Sequence, residues 1–199
     1  MRKLGIEDLE ALYTAPVPLS LEKVADHLTP LYQKWIEGSR FCILSTIGPE
    51  GVHGSPRGDD GPVVRVADAQ TLMIPDWQGN NRLDCLRDIA QDGRCALLFL
   101  VPGSKTTVRV NGDAFLTDDA DLRASFARKQ GQPKTVIVLR LTQVYTQCAK
   151  ALMRSGLWQR DDRDRVPTVG EIMAEMTKGR EGGASYDAQY EQKALPRLW

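Results

Sequence analysis

Ser39-Arg40-Phe41-Cys42-Ile43-Leu44-Ser45-Thr46-Ile47-Gly48-Pro49-Glu50-Gly51-Val52-His53-Gly54-Ser55-Pro56 is the stretch on which the fold turns. Phe41, Ile43, Ser45 and Ile47 alternate with Cys42, Leu44 and Thr46. A period of two predicts a strand, and apolar residues at both phases predict burial on both faces. Gly48-Pro49-Glu50-Gly51 is a turn signal, and a second strand begins at Val52. The same grammar recurs outward from this hairpin. Val63–Val66 and Thr71–Ile74 predict short strands, and Arg94–Val101 predicts an apolar central one. Thr106–Leu116 alternates, with Gly112 inviting a bulge. Pro133–Tyr145 predicts a long strand. Two helices interrupt the series. One has Leu83, Leu86 and Ile89 or Ala90 inward, and the other is a charged helix over Asp118–Lys129. Six or seven strands with tight hairpin signals, in place of regular βαβ alternation, predict an α+β, mainly β, antiparallel barrel.

Helical patterns flank the barrel. Ile6, Leu9 and Leu12 share a face, Ser20 predicts an N-cap for a helix with Leu21, Val24 and Leu28 inward, and Thr29-Pro30 opens a third with Leu31 and Trp35 inward. After Gln147 the pattern predicts short helices at Ala149–Arg154, Thr168–Lys178 and Tyr186–Ala194. The expected organisation is one domain: helices over 1–37, barrel over 38–146, helices over 147–199.

Composition narrows the function. Lys+Arg and Asp+Glu are each 26, so the formal charge is zero, which argues against a strongly basic nucleic-acid binder. The longest apolar run, Cys95–Val101, is seven residues, far short of the ~20 needed to span a bilayer. The start, Met1-Arg2-Lys3-Leu4-Gly5-Ile6-Glu7, turns acidic before any apolar stretch, so no secretory signal and a cytoplasmic location are expected. Cys42, Cys85, Cys95 and Cys148 form no Cys-x-x-Cys pair and read as small buried hydrophobes. With only His27 and His53 as histidines, no metal site is expected.

Three stretches carry candidate chemistry. Ser55-Pro56-Arg57-Gly58-Asp59 and Pro75-Asp76-Trp77-Gln78-Gly79-Asn80-Asn81-Arg82 each set an arginine beside small or polar residues at a strand end. Arginine is the preferred fork for a phosphate, and glycine lets backbone amides approach an anion. Asn80 and Asn81 add donors, and the helix that follows adds a positive dipole end. The third stretch is Cys148-Ala149-Lys150-Ala151-Leu152-Met153-Arg154-Ser155-Gly156-Leu157-Trp158. On a helix Lys150 and Arg154 share a face, with Trp158 one turn on, a set suited to an aromatic ligand that bears an anion. Solvated arginines in ordinary turns, and a helix packing Leu152 and Trp158 while its cations face water, are the plainer alternatives.

Taken in order, Ser55–Asp59, Thr71–Asp76, Gly79–Arg82, Leu97–Gly103 and Val108–Gly112 resemble the FMN-binding split-barrel family, the superfamily of pyridoxamine 5'-phosphate oxidase. Cys148–Ala151 with Arg154-Ser155 and Leu157-Trp158 resembles the signature of an FMN-dependent branch related to that oxidase. The resemblance spans Trp35 to Trp158 and implies a six-stranded antiparallel split barrel, a homodimer, and one FMN at each side of the dimer interface. It implies that Arg57 and Arg82 hold the phosphate, with Ser55, Gly58 and Asn80 beside them. Pro75 and Asp76 match the strand end along the isoalloxazine. Thr107 matches a position where the family often has glutamine. The resemblance also implies that Lys150, Arg154, Ser155 and Trp158 come from the partner chain's side of the site.

This chain departs from the authentic oxidase. That enzyme closes its substrate site with a C-terminal Arg-x-His element, whereas here no histidine follows His53 and the chain ends Leu195-Pro196-Arg197-Leu198-Trp199. Where the branch commonly shows a histidine before Cys148, this chain has Gln147. The implied function is therefore an FMN-dependent oxidoreductase acting on an unidentified small molecule, not on pyridoxamine phosphate. No protein acid or base is assigned, because a flavin accepts hydride at its own ring. The alternative is a non-catalytic split barrel that holds a flavin or haem.

Overall fold

Gly48 and Gly51 face each other across the two-residue turn Pro49-Glu50, closing a hairpin of strands β1 (Phe41–Gly48) and β2 (Gly51–Gly58). The computed structural model describes residues 1–129 and 131–198, so Trp199 lies outside the described residues. Before the hairpin come helices α1 (Ile6–Leu12), α2 (Pro18–Glu22) and α3 (Pro30–Glu37). After it come β3 (Arg65–Asp68), β4 (Thr71–Asp76), α4 (Asp84–Gln91), β5 (Arg94–Leu100), β6 (Thr107–Thr117), α5 (Ala120–Ala124) and β7 (Thr135–Gln147). Helices α6 (Lys150–Ser155), α7 (Val169–Met176) and α8 (Ala184–Ala194) follow. The strands form one antiparallel sheet in the order β2-β1-β5-β6-β7-β4-β3, a mainly β, α+β architecture. The count is seven, not six, because Arg65–Asp68 adds an edge strand that pairs only with β4.

The core lies on the inner face. Cys42 and Leu44 of β1, Leu97 and Phe99 of β5, Val108 and Val110 of β6, and Ile137 and Leu139 of β7 are all fully buried. Double burial of β1 does not hold: Phe41 and Ile47, on the opposite phase, stay 37% and 36% exposed. The bulge expected at Gly112 is present as a register shift between Asn111 and Gly112. A side chain there would put its Cβ 2.2 Å from the Arg140 carbonyl, so β7 crosses β6 where only glycine fits.

Several helix expectations need correction. Thr29 does cap α3, with its hydroxyl accepting from the Tyr32 amide, but Leu31 is exposed and Ile36 takes the core position. Ser20 lies inside α2 and donates to the Val17 carbonyl, because the chain leaves the helix to bridge Ala25 to Val144. The charged helix shrinks to α5, since 125–128 turns away and sends Arg128 to Asp59 and Asp60. On α4 the buried residues are Cys85, Asp88 and Ile89, not Leu83. Cys148 is exposed, while Cys42, Cys85 and Cys95 are buried. Burial pushes the Cys42 thiol up to about 12. Thr168 caps α7 as a capping box with Glu171, and α7 meets α8 where the Asp187 carboxylate accepts from the Gly170 amide at 2.8 Å. Among the described residues no helix is long and apolar enough to cross a membrane.

Candidate cofactor-binding cleft

β2 is one edge of the sheet and β4 is next to the other edge, so the ladder does not join them. Even so, Arg57 Nη1 of β2 donates to the Asp76 carboxylate of β4 at 2.6 Å, and each side chain is only 17% exposed. The sheet therefore curls until its two ends meet through side chains. A cleft of about 970 Å3 opens along this split.

Local structure aims polar groups into it. Along β2, His53, Ser55 and Arg57 are half-buried while Val52, Gly54, Pro56 and Gly58 are exposed, which follows from the period of two. Pro56 is tolerated because β2 is an edge strand and loses no ladder bond there. β4 supplies buried Pro75 and half-buried Asp76. Asn80 and Arg82 follow in the loop, where Asn80 Oδ1 accepts from the Arg82 amide at 3.0 Å. All seven sequence-derived residues of this group, Ser55, Arg57, Gly58, Pro75, Asp76, Asn80 and Arg82, line the cleft.

The loop enters α4 under strain. Asn81 and Leu83 have φ of 61° and 64°, left-handed conformations that cost a non-glycine residue roughly 1–2 kcal/mol. Leu83 gives α4 no side-chain cap, so first-turn amides at the cleft lining lack a capping partner from it. An uncapped helix start favours an anion. Two further atoms point to a ligand. Arg57 Nε and Thr135 Oγ1 are buried without a hydrogen-bond partner, and both residues line this cleft. Thr135 faces Asp76 in the β4–β7 register. Buried polar atoms without partners are rare and costly, so an occupant with complementary atoms fits here.

One wall is braced by charge. Asp59 accepts from Trp77 Nε1 at 3.1 Å and from Arg128, whose guanidinium lies 5.4 Å from the Trp77 ring centroid. Arg128 also holds Asp60 at 2.6 Å, and this bond keeps the Asp60 carboxyl below its ordinary range. At the other end, His53 Nδ1 lies 2.8 Å from the Asp88 carboxylate, which also accepts from Thr46 Oγ1 at 2.6 Å. The bond to Asp88 raises the His53 pKa, and the bonds from Thr46 and then His53 lower that of Asp88.

Residue order alone missed His53, Asp88 and Thr135. His53 shares the period of Ser55 and Arg57 and could have been found that way. Asp88 and Thr135 become visible only through helix phase and strand register. Among the described residues no group of three or more His, Cys, Asp or Glu could hold a metal.

Thr107, Lys150, Arg154, Ser155 and Trp158 do not line this cleft. The register runs Gly58, Phe41, Leu100, Thr107, Gln147 across β2, β1, β5, β6 and β7. Four strand spacings of about 4.8 Å put Gly58 and Gln147 roughly 19 Å apart along the sheet. Thr107 is buried in the ladder, and Lys150, Arg154 and Ser155 are exposed on α6. Trp158 Nε1 donates to the Ser104 carbonyl at 2.7 Å, tying the end of α6 to the β5–β6 connection.

A curled antiparallel sheet with a polar cleft at its open seam is a split barrel. Residues 28–148, more than half of the chain, match the family described as pyridoxamine 5'-phosphate oxidase, and the chain belongs to that family. Among solved structures, HupZ of Group A Streptococcus is 14% identical, with 60% of this chain and 93% of that one covered and a TM-score of 0.49. A protein of Lactobacillus delbrueckii, provisionally named a pyridoxamine 5'-phosphate oxidase, is 22% identical, with 61% and 95% covered and a TM-score of 0.49. An FMN-binding protein of Syntrophomonas wolfei is 13% identical, with 58% and 88% covered and a TM-score of 0.43. A comparison with curated proteins found no match.

Proposed function

We propose that this chain binds FMN in the β2–β4 cleft and acts as an FMN-dependent oxidoreductase on a small molecule. The observation that carries this is the pair of partnerless buried atoms, Arg57 Nε and Thr135 Oγ1, in the lining of one cleft. FMN fits the donor set. Its phosphate suits Arg57, Arg82 and the uncapped start of α4. Its flat ring suits the buried, rigid Pro75 and the half-buried Asp76 beside it. When bound, FMN supplies hydride or electron transfer at its own ring. The chain's part is to bind and orient. Asp76 holds the Arg57 fork at one end of β2, Asn80 shapes the turn that presents Arg82, and Ser55 and Gly58 complete the β2 wall.

In this proposal the working form is a homodimer. Phe41, Ile47 and Val52 expose apolar surface at 37%, 36% and 73% on the outer side of the β1–β2 hairpin. Exposed apolar clusters of this kind mark interaction sites. A second copy would bring its own α6, with Lys150, Arg154, Ser155 and Trp158, toward a cleft that the same chain's α6 does not line. Thr107 then acts at the interface through the ladder, not by touching the cleft of its own chain.

The test is direct. The purified protein is mixed with FMN and desalted, and its visible spectrum and mass in solution are recorded. Flavin bands that stay with a dimer are expected; a protein that retains no FMN overturns the proposal. Turnover of bound flavin with a reductant and an acceptor then separates an oxidoreductase from a module that only holds the group.

A further inference from the structure

Asp88 stands where the helix pattern calls for an apolar residue. Cys85, Asp88 and Ile89 form the buried face of α4, and Asp88 is only 4% exposed. A buried carboxylate persists when its oxygens are well partnered. Asp88 Oδ2 takes Thr46 Oγ1 from β1 at 2.6 Å and His53 Nδ1 from β2 at 2.8 Å. The sequence also clears space for it: a Cβ on Gly48 would come within 2.1 Å of Asp88 Oδ1. One side chain thus ties α4 to both strands of the first hairpin.

Both of the elements so joined border the cleft, β2 as one wall and the start of α4 with its preceding loop as part of the lining opposite. β2 carries Ser55 and Arg57 on the face of His53, and His53 itself lines the cleft with its side chain 27% exposed. α4 ends the loop that carries Asn80 and Arg82. That loop passes through two left-handed residues, so it needs a firm anchor on its far side.

The charges facing His53 are Asp88 and Asp84 from α4 and Glu50 from the β1–β2 turn, while β1 contributes only the neutral Thr46. All three charges are negative and favour the protonated ring. The Asp88 carboxylate accepts a charge-assisted bond from a ring N–H in either state of His53, and the second ring proton adds the attraction of an ion pair. The joint therefore changes strength with one proton.

We propose that His53 and Asp88 form a proton-controlled latch that holds α4, and with it the Asn80–Arg82 wall, against β2, so that ligand retention in the cleft falls when His53 loses its proton. The cleft ligand is taken from the function proposed above, but the latch is testable without any ligand. The sign follows from the raised pKa of His53, above its ordinary 6.5. The contribution is complete below the unfolded-state value and is lost as pH rises through the folded one.

Amide hydrogen exchange of α4 is measured in the free protein at several pH values between about 6 and 9, corrected for intrinsic rates. FMN titrations are run over the same range. Wild type is compared with His53→Gln and Asp88→Asn. In wild type, α4 protection is expected to fall about fivefold as pH rises, with a parallel weakening of FMN binding; both variants show a low protection that no longer follows pH. Comparing variants removes the titration of FMN's own phosphate. Wild-type protection of α4 that is independent of pH overturns the latch, and that measurement needs no variant to fold. pH-dependent protection with no FMN binding upholds the latch and overturns the flavin reading. FMN affinity that moves with pH equally in wild type and His53→Gln overturns the link between latch and cleft.

Discussion

The two groups of residues that the resemblance assigns to one site lie in different parts of the fold. Ser55, Arg57, Gly58, Pro75, Asp76, Asn80 and Arg82 are gathered in one cleft, with Arg57 and Asp76 joined at 2.6 Å. Lys150, Arg154 and Ser155 sit exposed on α6, which begins four strands across the sheet from Gly58. The first group is complete within a chain because the sheet's curl brings β2 to β4. The second has no such closure within one chain, and only the dimer proposed above would bring it to the cleft.

The most severe test of the first group is Arg57→Ala. It removes the fork and leaves the mostly buried Asp76 carboxylate without its partner. A hydrogen bond to a charged group contributes about 1.5–3 kcal/mol, so FMN affinity should drop about 10- to 100-fold by titration. Unchanged affinity would detach the cleft from the ligand. The second group is broken by the double variant Lys150→Ala/Arg154→Ala. Both side chains are exposed, so folding should be unaffected, while FMN affinity falls about tenfold if the partner's α6 reaches the cleft. Retained affinity in the dimer would leave the first group as the whole site.

Smaller effects sharpen the same contrast. Arg82→Ala should weaken FMN only about threefold, because Arg82 is 74% exposed and already held by Asp84. An effect as large as that of Arg57→Ala would move the phosphate to the α4 end of the cleft. Trp158→Phe deletes the donation to Ser104 and should cost about 1 kcal/mol, a thermal midpoint lower by roughly 2–4 °C. A loss of FMN affinity beyond that, at a temperature where the variant is folded, would place the indole in the partner's site.

Much of the fold was legible residue by residue. The period of two in Phe41–Ile47, the turn at Gly48–Gly51, the bulge at Gly112 and the cap at Thr29 are local properties, set within a few residues. The errors fall where distant contacts override local preference. α4 is phased on Cys85 and Ile89 because Asp88 is buried by Thr46 and His53, partners 42 and 35 residues away. The expected helix over Asp118–Lys129 ends early because Arg128 reaches Asp59 and Asp60. The site divides in the same way. The arginine-bearing motifs were visible as motifs, but Thr135 was invisible without the β4–β7 register, and His53 gained meaning only beside Asp88.

Residue order alone was enough for the class of fold and for the two arginine loops, because periodicity, turn chemistry and side-chain type act over a handful of neighbouring residues. Which strands lie side by side was settled by burial and pairing summed over the whole chain. Only that sum curls the sheet, brings Arg57 onto Asp76, leaves Arg57 Nε and Thr135 Oγ1 facing the same need for a partner, and sets α6 apart from the cleft.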